Sequence, residues 1–270
     1  MKVFIIDAFT DKPFSGNPAG VCLPEKEPDP GFMQSIAAEL NLSETAFIRR
    51  SATDETTFFI RYFTPAMEIG FCGHATLAAA KFILHGLHKP RVSFITTGNL
   101  ELQARADGEQ IRMNFPLYSP EDYEEDEALY DALGISNPIA SKFSPALEML
   151  LVEVADKETL LSLRPDYDKA LLATNSLKEV VVTARSEDSD YDFYSRCFCP
   201  WIGINEDPVT GAAHSLLAPY WGAILNKTEM AAFQCSDRGG FMRVAIRSAS
   251  EIEVVSQARI VFEGTIFPDQ

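Results

Sequence analysis

Two short stretches carry most of the side chains able to do chemistry in this 270-residue chain. Phe71-Cys72-Gly73-His74-Ala75-Thr76 offers a thiol and an imidazole around a glycine. Glu206-Asp207-Pro208-Val209-Thr210-Gly211-Ala212-Ala213-His214 offers two carboxylates ahead of another glycine. Each reads as a polar loop that opens, through the glycine, into an Ala-rich helix. The first N–H groups of a helix have no intrahelical acceptor, and the helix dipole adds partial positive charge there. Small residues at such a start leave those groups open to an anion. Two such starts in one chain predict a single pocket between two halves, made for a carboxylate-bearing ligand.

Glu44, in Asn41-Leu42-Ser43-Glu44-Thr45-Ala46-Phe47, stands at the entrance of a strand. It reads either as a surface carboxylate or as a base at the rim of a cleft. Partial removal from water raises a carboxyl pKa and equips the group to take and give a proton. His74 reads as a helix cap, a core imidazole or a proton relay. Asp207 suits a helix dipole without any further role, or serves a ligand. Cys72, at the same helix entrance as His74, is expected to have a lowered pKa. That permits a proton-transferring thiolate, yet no cysteine stands before Gly211, and a two-thiol racemase needs a base on each face of its carbon. Asn17, in Ser15-Gly16-Asn17-Pro18-Ala19-Gly20, reads as a turn, with a ligand-contacting loop as the alternative. Cys197-x-Cys199 lacks a second close pair and lies in a strand-like run, so neither a zinc site nor a structural disulfide is expected. The chain has no Rossmann glycine pattern, no Walker A motif and no serine nucleophile elbow.

These groups need elements to position them. Alternation and turn signals predict strands over residues 2–9, 20–23, 45–50, 57–64, 91–97, 100–106 and 110–115. A helix is expected over 30–39, and a second over 74–84 that is apolar nearly all round and therefore buried. The acidic stretch 120–131, with Glu121, Asp122, Glu124, Glu125, Asp126 and Glu127, marks a boundary or a solvated helix start. The second half repeats the same grammar. Strands are expected over 148–154, 179–183, 191–198, 231–235, 241–246 and 252–256, with a buried helix over 212–225 that kinks or breaks at Pro219. Residues 93–100 echo 232–241 as strand, glycine turn, strand. The order predicts a degenerate internal repeat and two domains, 1–117 with 257–270, and 118–256.

Composition narrows the partners. The formal net charge of −16 repels nucleic acid and anionic membranes. It does not exclude an acidic substrate, because local amides and dipoles outweigh a distant surface charge. Hydrophobic residues make up 46% of the chain, enough for a sizeable core, and the 19 Phe suit β-rich layers. Val3-Phe4-Ile5-Ile6 is too short an apolar run for a signal peptide, and no run approaches the ~18 residues of a membrane span. A cytoplasmic location with reduced thiols is the expectation.

Together these residues resemble the PhzF family of phenazine-biosynthesis-like proteins. The resemblance runs over nearly the whole chain, through six ordered motifs: Asp7-Ala8-Phe9-Thr10, Gly16-Asn17-Pro18-Ala19, Leu42-Ser43-Glu44-Thr45-Ala46-Phe47, Tyr62-Phe63-Thr64-Pro65, Cys72-Gly73-His74-Ala75-Thr76-Leu77-Ala78 and Glu206-Asp207-Pro208-Val209-Thr210-Gly211. Asp192-Phe193-Tyr194-Ser195-Arg196 and Phe233-Gln234-Cys235-Ser236 are similar to the branch related to the MAWD-binding protein. The resemblance implies an α+β fold like diaminopimelate epimerase: two pseudo-symmetric lobes, each a barrel-like mixed sheet around a central helix. It also implies an isomerase that moves a proton on a small carboxylate, with no metal or organic cofactor. The family's acid/base glutamate then falls on Glu44, and its assisting histidine and aspartate on His74 and Asp207. The substrate carboxylate meets the backbone at Gly73 and Gly211, with Asn17, Ser43, Ala75 and Ala212 completing the binding set. Many relatives carry serine where this chain has Ala212, so the backbone N–H remains while a hydroxyl contact is lost.

The sequence thus points to a cofactor-independent isomerase acting on a small carboxylate or amino acid, expected as a homodimer. A two-base epimerase using Cys72 and a non-catalytic binding or interaction module on the same fold are the alternatives.

Overall fold

In the computed structural model, which describes residues 1–124 and 126–267, the chain divides into two units. The first holds Met1–Phe115 and the chain from Val254 onward, and the second holds Pro116–Glu253. Glu125 of the acidic stretch lies outside the described residues.

The first unit opens with strands β1 (Lys2–Ala8) and β2 (Asn17–Leu23), helix α1 (Pro30–Leu40), and strands β3 (Glu44–Arg50), β4 (Thr57–Phe63) and β5 (Glu68–Ile69). Helix α2 (Gly73–Lys81) and strands β6 (Arg91–Thr96), β7 (Glu101–Asp107) and β8 (Gln110–Pro116) follow. The second unit contains β9 (Glu121–Asp122), α3 (Glu127–Leu133), β10 (Ala140–Ser144), β11 (Met149–Glu153), α4 (Lys157–Ser162), α5 (Tyr167–Ala173) and β12 (Glu179–Arg185). It continues with β13 (Phe193–Cys199), β14 (Ile204–Asp207), α6 (His214–Leu225), β15 (Glu229–Gln234) and β16 (Gly240–Ile246), and β17 (Glu251–Ser256) runs from the second unit into the first. Strand β18 (Ala258–Thr265) returns to the first unit and pairs antiparallel with β1.

Strand pairing shows the internal repeat directly. In the first unit β1–β2 is antiparallel, β2–β3 parallel, β3–β4 and β4–β5 antiparallel, β4–β6 parallel and β6–β7 antiparallel. In the second unit β10–β11, β11–β12, β12–β13, β13–β14, β13–β15 and β15–β16 follow the same sequence of directions. Parallel neighbours cannot be joined by a hairpin and need a crossover. Helix α1 crosses from β2 to β3, and α4 with α5 crosses from β11 to β12. The other two crossovers run through α2, between β4 and β6, and through α6, between β13 and β15. The two glycine-led loops of the sequence therefore occupy the same topological slot in each unit.

Every residue of α2 is buried, as expected of a helix apolar all round. It ends at Lys81, earlier than the pattern predicts, and passes into a π-helical turn over Phe82–Gly86. Helix α6 begins at His214, two residues later than expected, after a turn in which the His214, Ser215 and Leu216 N–H groups donate to Gly211, Ala212 and Ala213 carbonyls. It does not break at Pro219. A proline removes the N–H that would pair with the carbonyl four residues earlier. That carbonyl, Ser215 O, instead accepts the N–H of Tyr118 at 3.0 Å. Trp221, fully buried on the same helix, stacks on Phe193 at 5.8 Å and donates its indole N–H to Thr183 Oγ1 at 2.9 Å.

The loop from β1 to β2 is held against the core. The buried Asp7 carboxylate accepts the Phe14 N–H at 2.7 Å, and Thr10 Oγ1 accepts the Lys12 N–H at 3.0 Å. Gly16 closes this loop with φ +69°, and a Cβ there would sit 2.1 Å from the Ala8 carbonyl. Asn17, expected in a turn, is instead the buried first residue of β2, because the turn is completed by Gly16.

Gly16→Ala should therefore destabilise the protein by about 3 kcal/mol or more, since neither φ nor a backbone oxygen can yield cheaply. Gly108→Ala, at φ +58° with open space around the new methyl, should cost only about 1 kcal/mol. Thermal and denaturant unfolding of the two variants side by side checks the contrast; equal effects would count against it.

Candidate active site

The first unit brings Asn17, Ser43, Glu44, Cys72 and His74 together around the start of α2. Glu44 is the first residue of β3, and the β2–β3 register sets it opposite Ala19, two residues from Asn17. Cys72 is the N-cap of α2, in extended backbone geometry and without a side-chain cap. The second residue of the helix, His74, points its ring at all of these groups. Its Nε2 lies 3.0 Å from Glu44 Oε2 and 3.4 Å from Ser43 Oγ. Its Nδ1 lies 3.2 Å from the Asn17 amide nitrogen and 3.4 Å from Cys72 Sγ. The end of the turn is fixed from behind: Thr76 Oγ1 donates to the Cys72 carbonyl at 2.6 Å and shares a hydrogen bond with the buried Tyr62 hydroxyl.

A buried charge persists only when it is paired. Burial pushes the Glu44 carboxyl up, but the His74 charge and the polar contacts of His74, Ser43 and Cys72 outweigh it and leave the group below its ordinary value. This reverses the raised pKa expected from burial alone. Burial likewise pushes His74 down, while the charges of Cys72 and Glu44 and hydrogen bonds to both raise it well above the usual histidine value; with the thiol protonated, Glu44 is the anion that remains. We assign the pair as carboxylate and imidazolium at neutral pH. Cys72 behaves opposite to expectation. Burial and the Glu44 charge raise its thiol, against lowering by His74 and by the Ala75 N–H. A helix start lowers a thiol only when the sulfur stays near water, and this one does not. Glu44 Oε2 is in ion contact with His74 but has no aligned hydrogen-bond partner among the described residues.

The second unit holds the other candidates. Strand β14 ends on Asp207, half-buried and opposite Cys197 in the β13–β14 register. Arg196 braces this ribbon with two 2.8 Å contacts to the Glu206 carboxylate. Asp207 Oδ2 accepts the Thr210 hydroxyl at 2.5 Å. Gln234, buried, ties the loop on both sides: its Oε1 accepts the Thr210 N–H at 2.9 Å and its Nε2 donates to the Asp207 carbonyl at 2.7 Å. Gly211 and Ala212 lie in the turn that leads into α6. Sequence reasoning assigned no role to Thr210 or Gln234. One signal for Gln234 was available: it falls on the inward phase of β15, where Met230 and Ala232 are buried, and a polar residue in that phase demands internal partners.

The family model for PhzC-PhzF, phenazine biosynthesis-like protein, matches residues 6–264. The chain belongs to this PhzF family. It is 41% identical to phenazine biosynthesis-like domain-containing protein 2 of Mus musculus, an alignment covering 98% of this chain and 99% of the mouse protein. A Pseudomonas aeruginosa protein described as an uncharacterized isomerase is 40% identical, with 98% of both chains covered. The crystal structure of a PhzF-family phenazine biosynthesis protein from Enterococcus faecalis superposes with a TM-score of 0.90 at 35% identity, covering 99% of each chain. The PhzF fold is the diaminopimelate-epimerase-like α+β architecture that the repeated pairing displays. Among the described residues, no helix is long and apolar enough to cross a membrane, and no disulfide joins the five cysteines.

The charge state of the pair has a direct check. A raised histidine pKa stabilises the fold below the unfolded value of about 6.5 and loses that contribution as pH rises through the folded value. A depressed carboxylate stabilises above the unfolded value of about 4.5 and loses it as pH falls. The pair should therefore contribute most across the window between. Nitrogen-15 NMR of His74 should show imidazolium persisting above pH 6.5. In Glu44→Gln the carboxylate's share of the upward push is lost, and the titration should move to lower pH. An unshifted His74 in both proteins would refute the assignment.

Proposed function

We propose that this chain is a cofactor-independent isomerase that moves a proton on a small carboxylate or amino-acid-like substrate. One observation carries the proposal: a buried carboxylate, ionised by its pairing with His74, keeps an oxygen without an aligned hydrogen-bond partner beside a helix start. An ionised carboxylate can remove a proton from carbon, and partial desolvation keeps it reactive. The name of the 40%-identical bacterial relative supports the same class.

In this reading Glu44 Oε2 takes the proton from the substrate carbon, and the electron pair of the broken C–H bond moves into the adjoining unsaturation. Glu44 then returns the same proton to a second carbon, so no atom or electron is gained or lost. His74 stabilises the developing negative charge. The substrate carboxylate is held at the start of α2, by the backbone N–H of Gly73 beside Ala75, and Gly211 and Ala212 form the equivalent helix approach of the second unit. Asn17 and Ser43 orient the ligand, and Asp207 is the polarising acid offered by the equivalent loop of the second unit. In this reading the chain acts as a cytoplasmic homodimer. General acid–base catalysis supplies about 10²–10⁴-fold, so positioning by these amides must supply much of the rest. The two-base epimerase reading is disfavoured by the raised Cys72 thiol.

The test is hydrogen–deuterium exchange into a panel of small carboxylates in heavy water, with affinity measured separately by calorimetry. Glu44→Gln should lower exchange at least 10²-fold while changing the dissociation constant little. Cys72→Ser should cost modestly. Exchange retained by Glu44→Gln and lost in Cys72→Ser would transfer the base to the thiol. Binding without exchange by the unmutated protein would favour a non-catalytic module.

A further inference from the structure

We infer that Glu44, Cys72 and His74 form a three-donor site for a thiophilic divalent cation, Zn²⁺ above all, and that its occupancy shuts down proton transfer. Among the described residues this is the one set of three such donors close enough to share an ion, with one ligand atom from each lying within 4.8 Å of the others. Glu44 Oε2 stands 3.0 Å from His74 Nε2, and Cys72 Sγ stands 3.9 Å from the same nitrogen. Zinc bonds of about 2.0–2.3 Å in a tetrahedron separate neighbouring donors by roughly 3.3–3.6 Å. Cys72 Sγ lies nearer Nδ1, at 3.4 Å, so a rotation about the Cys72 side chain that carries the sulfur to the Nε2 side completes the set.

Two further features favour an ion. A thiolate and a carboxylate balance a dication, so the buried complex is neutral and avoids the cost of an unpaired interior charge. Glu44 Oε2, buried and without an aligned hydrogen-bond partner, has a lone pair available for a metal bond. The Asn17 amide nitrogen lies 3.2 Å from His74 Nδ1; turned to present its oxygen, the same side chain would accept the Nδ1–H of a metal-bound imidazole. The mixed sulfur, nitrogen and oxygen set selects Zn²⁺ or Co²⁺ over Mg²⁺ and Ca²⁺, which demand oxygen donors. Three protein donors leave a fourth position for water or a ligand. A bound ion occupies the Glu44 lone pair that would take the substrate proton and displaces the His74 proton that would stabilise the developing charge. Ion binding is independent of the proposed isomerase activity; the inhibition rests on it.

Titration of the full chain with Co²⁺ provides the test. A thiolate-to-cobalt charge-transfer band and intense visible bands of tetrahedral Co²⁺ are expected, with Zn²⁺ displacing the cobalt. Cys72→Ser should abolish the charge-transfer band, whereas Cys197→Ser and Cys199→Ser should retain it. Glu44→Gln, isosteric and therefore expected to fold, should weaken Zn²⁺ binding at least tenfold by competition with a chromophoric chelator, which keeps the proposal testable if Cys72→Ser fails to fold. Absence of the band, its survival in Cys72→Ser, or unchanged Zn²⁺ affinity in Glu44→Gln would overturn the site. Failure to bind metal would leave the isomerase proposal standing. Metal binding without proton exchange by the metal-free protein would keep the site and remove the enzyme.

Discussion

A charged pair buried at the first turn of α2 is the constraint around which the first unit is arranged. Glu44 and His74 come from different elements, and neither could remain ionised alone in that environment. Their contact requires β2 and β3 to lie parallel, which the α1 crossover provides. It also requires the Cys72-Gly73 backbone to turn into a helix without bulk, and the β1–β2 loop to deliver Asn17 as a buried neighbour. The Asp7–Phe14 hydrogen bond and the steep turn at Gly16 achieve the last of these. Packing, loop geometry and electrostatics converge on a volume of a few side chains.

The repeat explains why similar slots carry different chemistry. In each unit a helix crosses between two parallel strands, and a short polar loop precedes it. The first slot assembles an ion pair and a thiol. The second holds Asp207 through Thr210 and Gln234, with Arg196–Glu206 bracing the ribbon behind it. Pairing directions are retained because crossovers and strand twist permit few alternatives, while loop side chains diverge freely. The α6 helix shows the same tolerance: Pro219 is accommodated because Tyr118 supplies the missing donor to Ser215.

Cys72 shows how one residue reads differently alone and in place. Beside a helix start, a thiol would be expected to ionise easily. Surrounded by low-dielectric packing and an existing carboxylate, it holds its proton more tightly. The same crowding that raises its thiol sets its sulfur within 4.8 Å of a Glu44 oxygen and a His74 nitrogen, where a metal rather than water would compensate a thiolate.

The sequence by itself determined the repeat, most strands to within a few residues, the buried character of α2 and α6, and the residue types able to transfer a proton. Those features follow from local alternation, helical periodicity and turn chemistry. Only the tertiary structure decided that Glu44 is ionised, that Cys72 is not, that Asn17 opens a buried strand, and that Gln234 locks the Asp207 loop. It also revealed the short β5, β9, β10 and β14 and the helices α4 and α5, which the sequence pattern had not marked, turned the acidic stretch into the start of α3, and made the returning segment a strand, β18. The reason is physical: protonation states and hydrogen-bond partners depend on residues far apart in the chain, and short or edge elements take their stability from neighbours rather than from their own sequence.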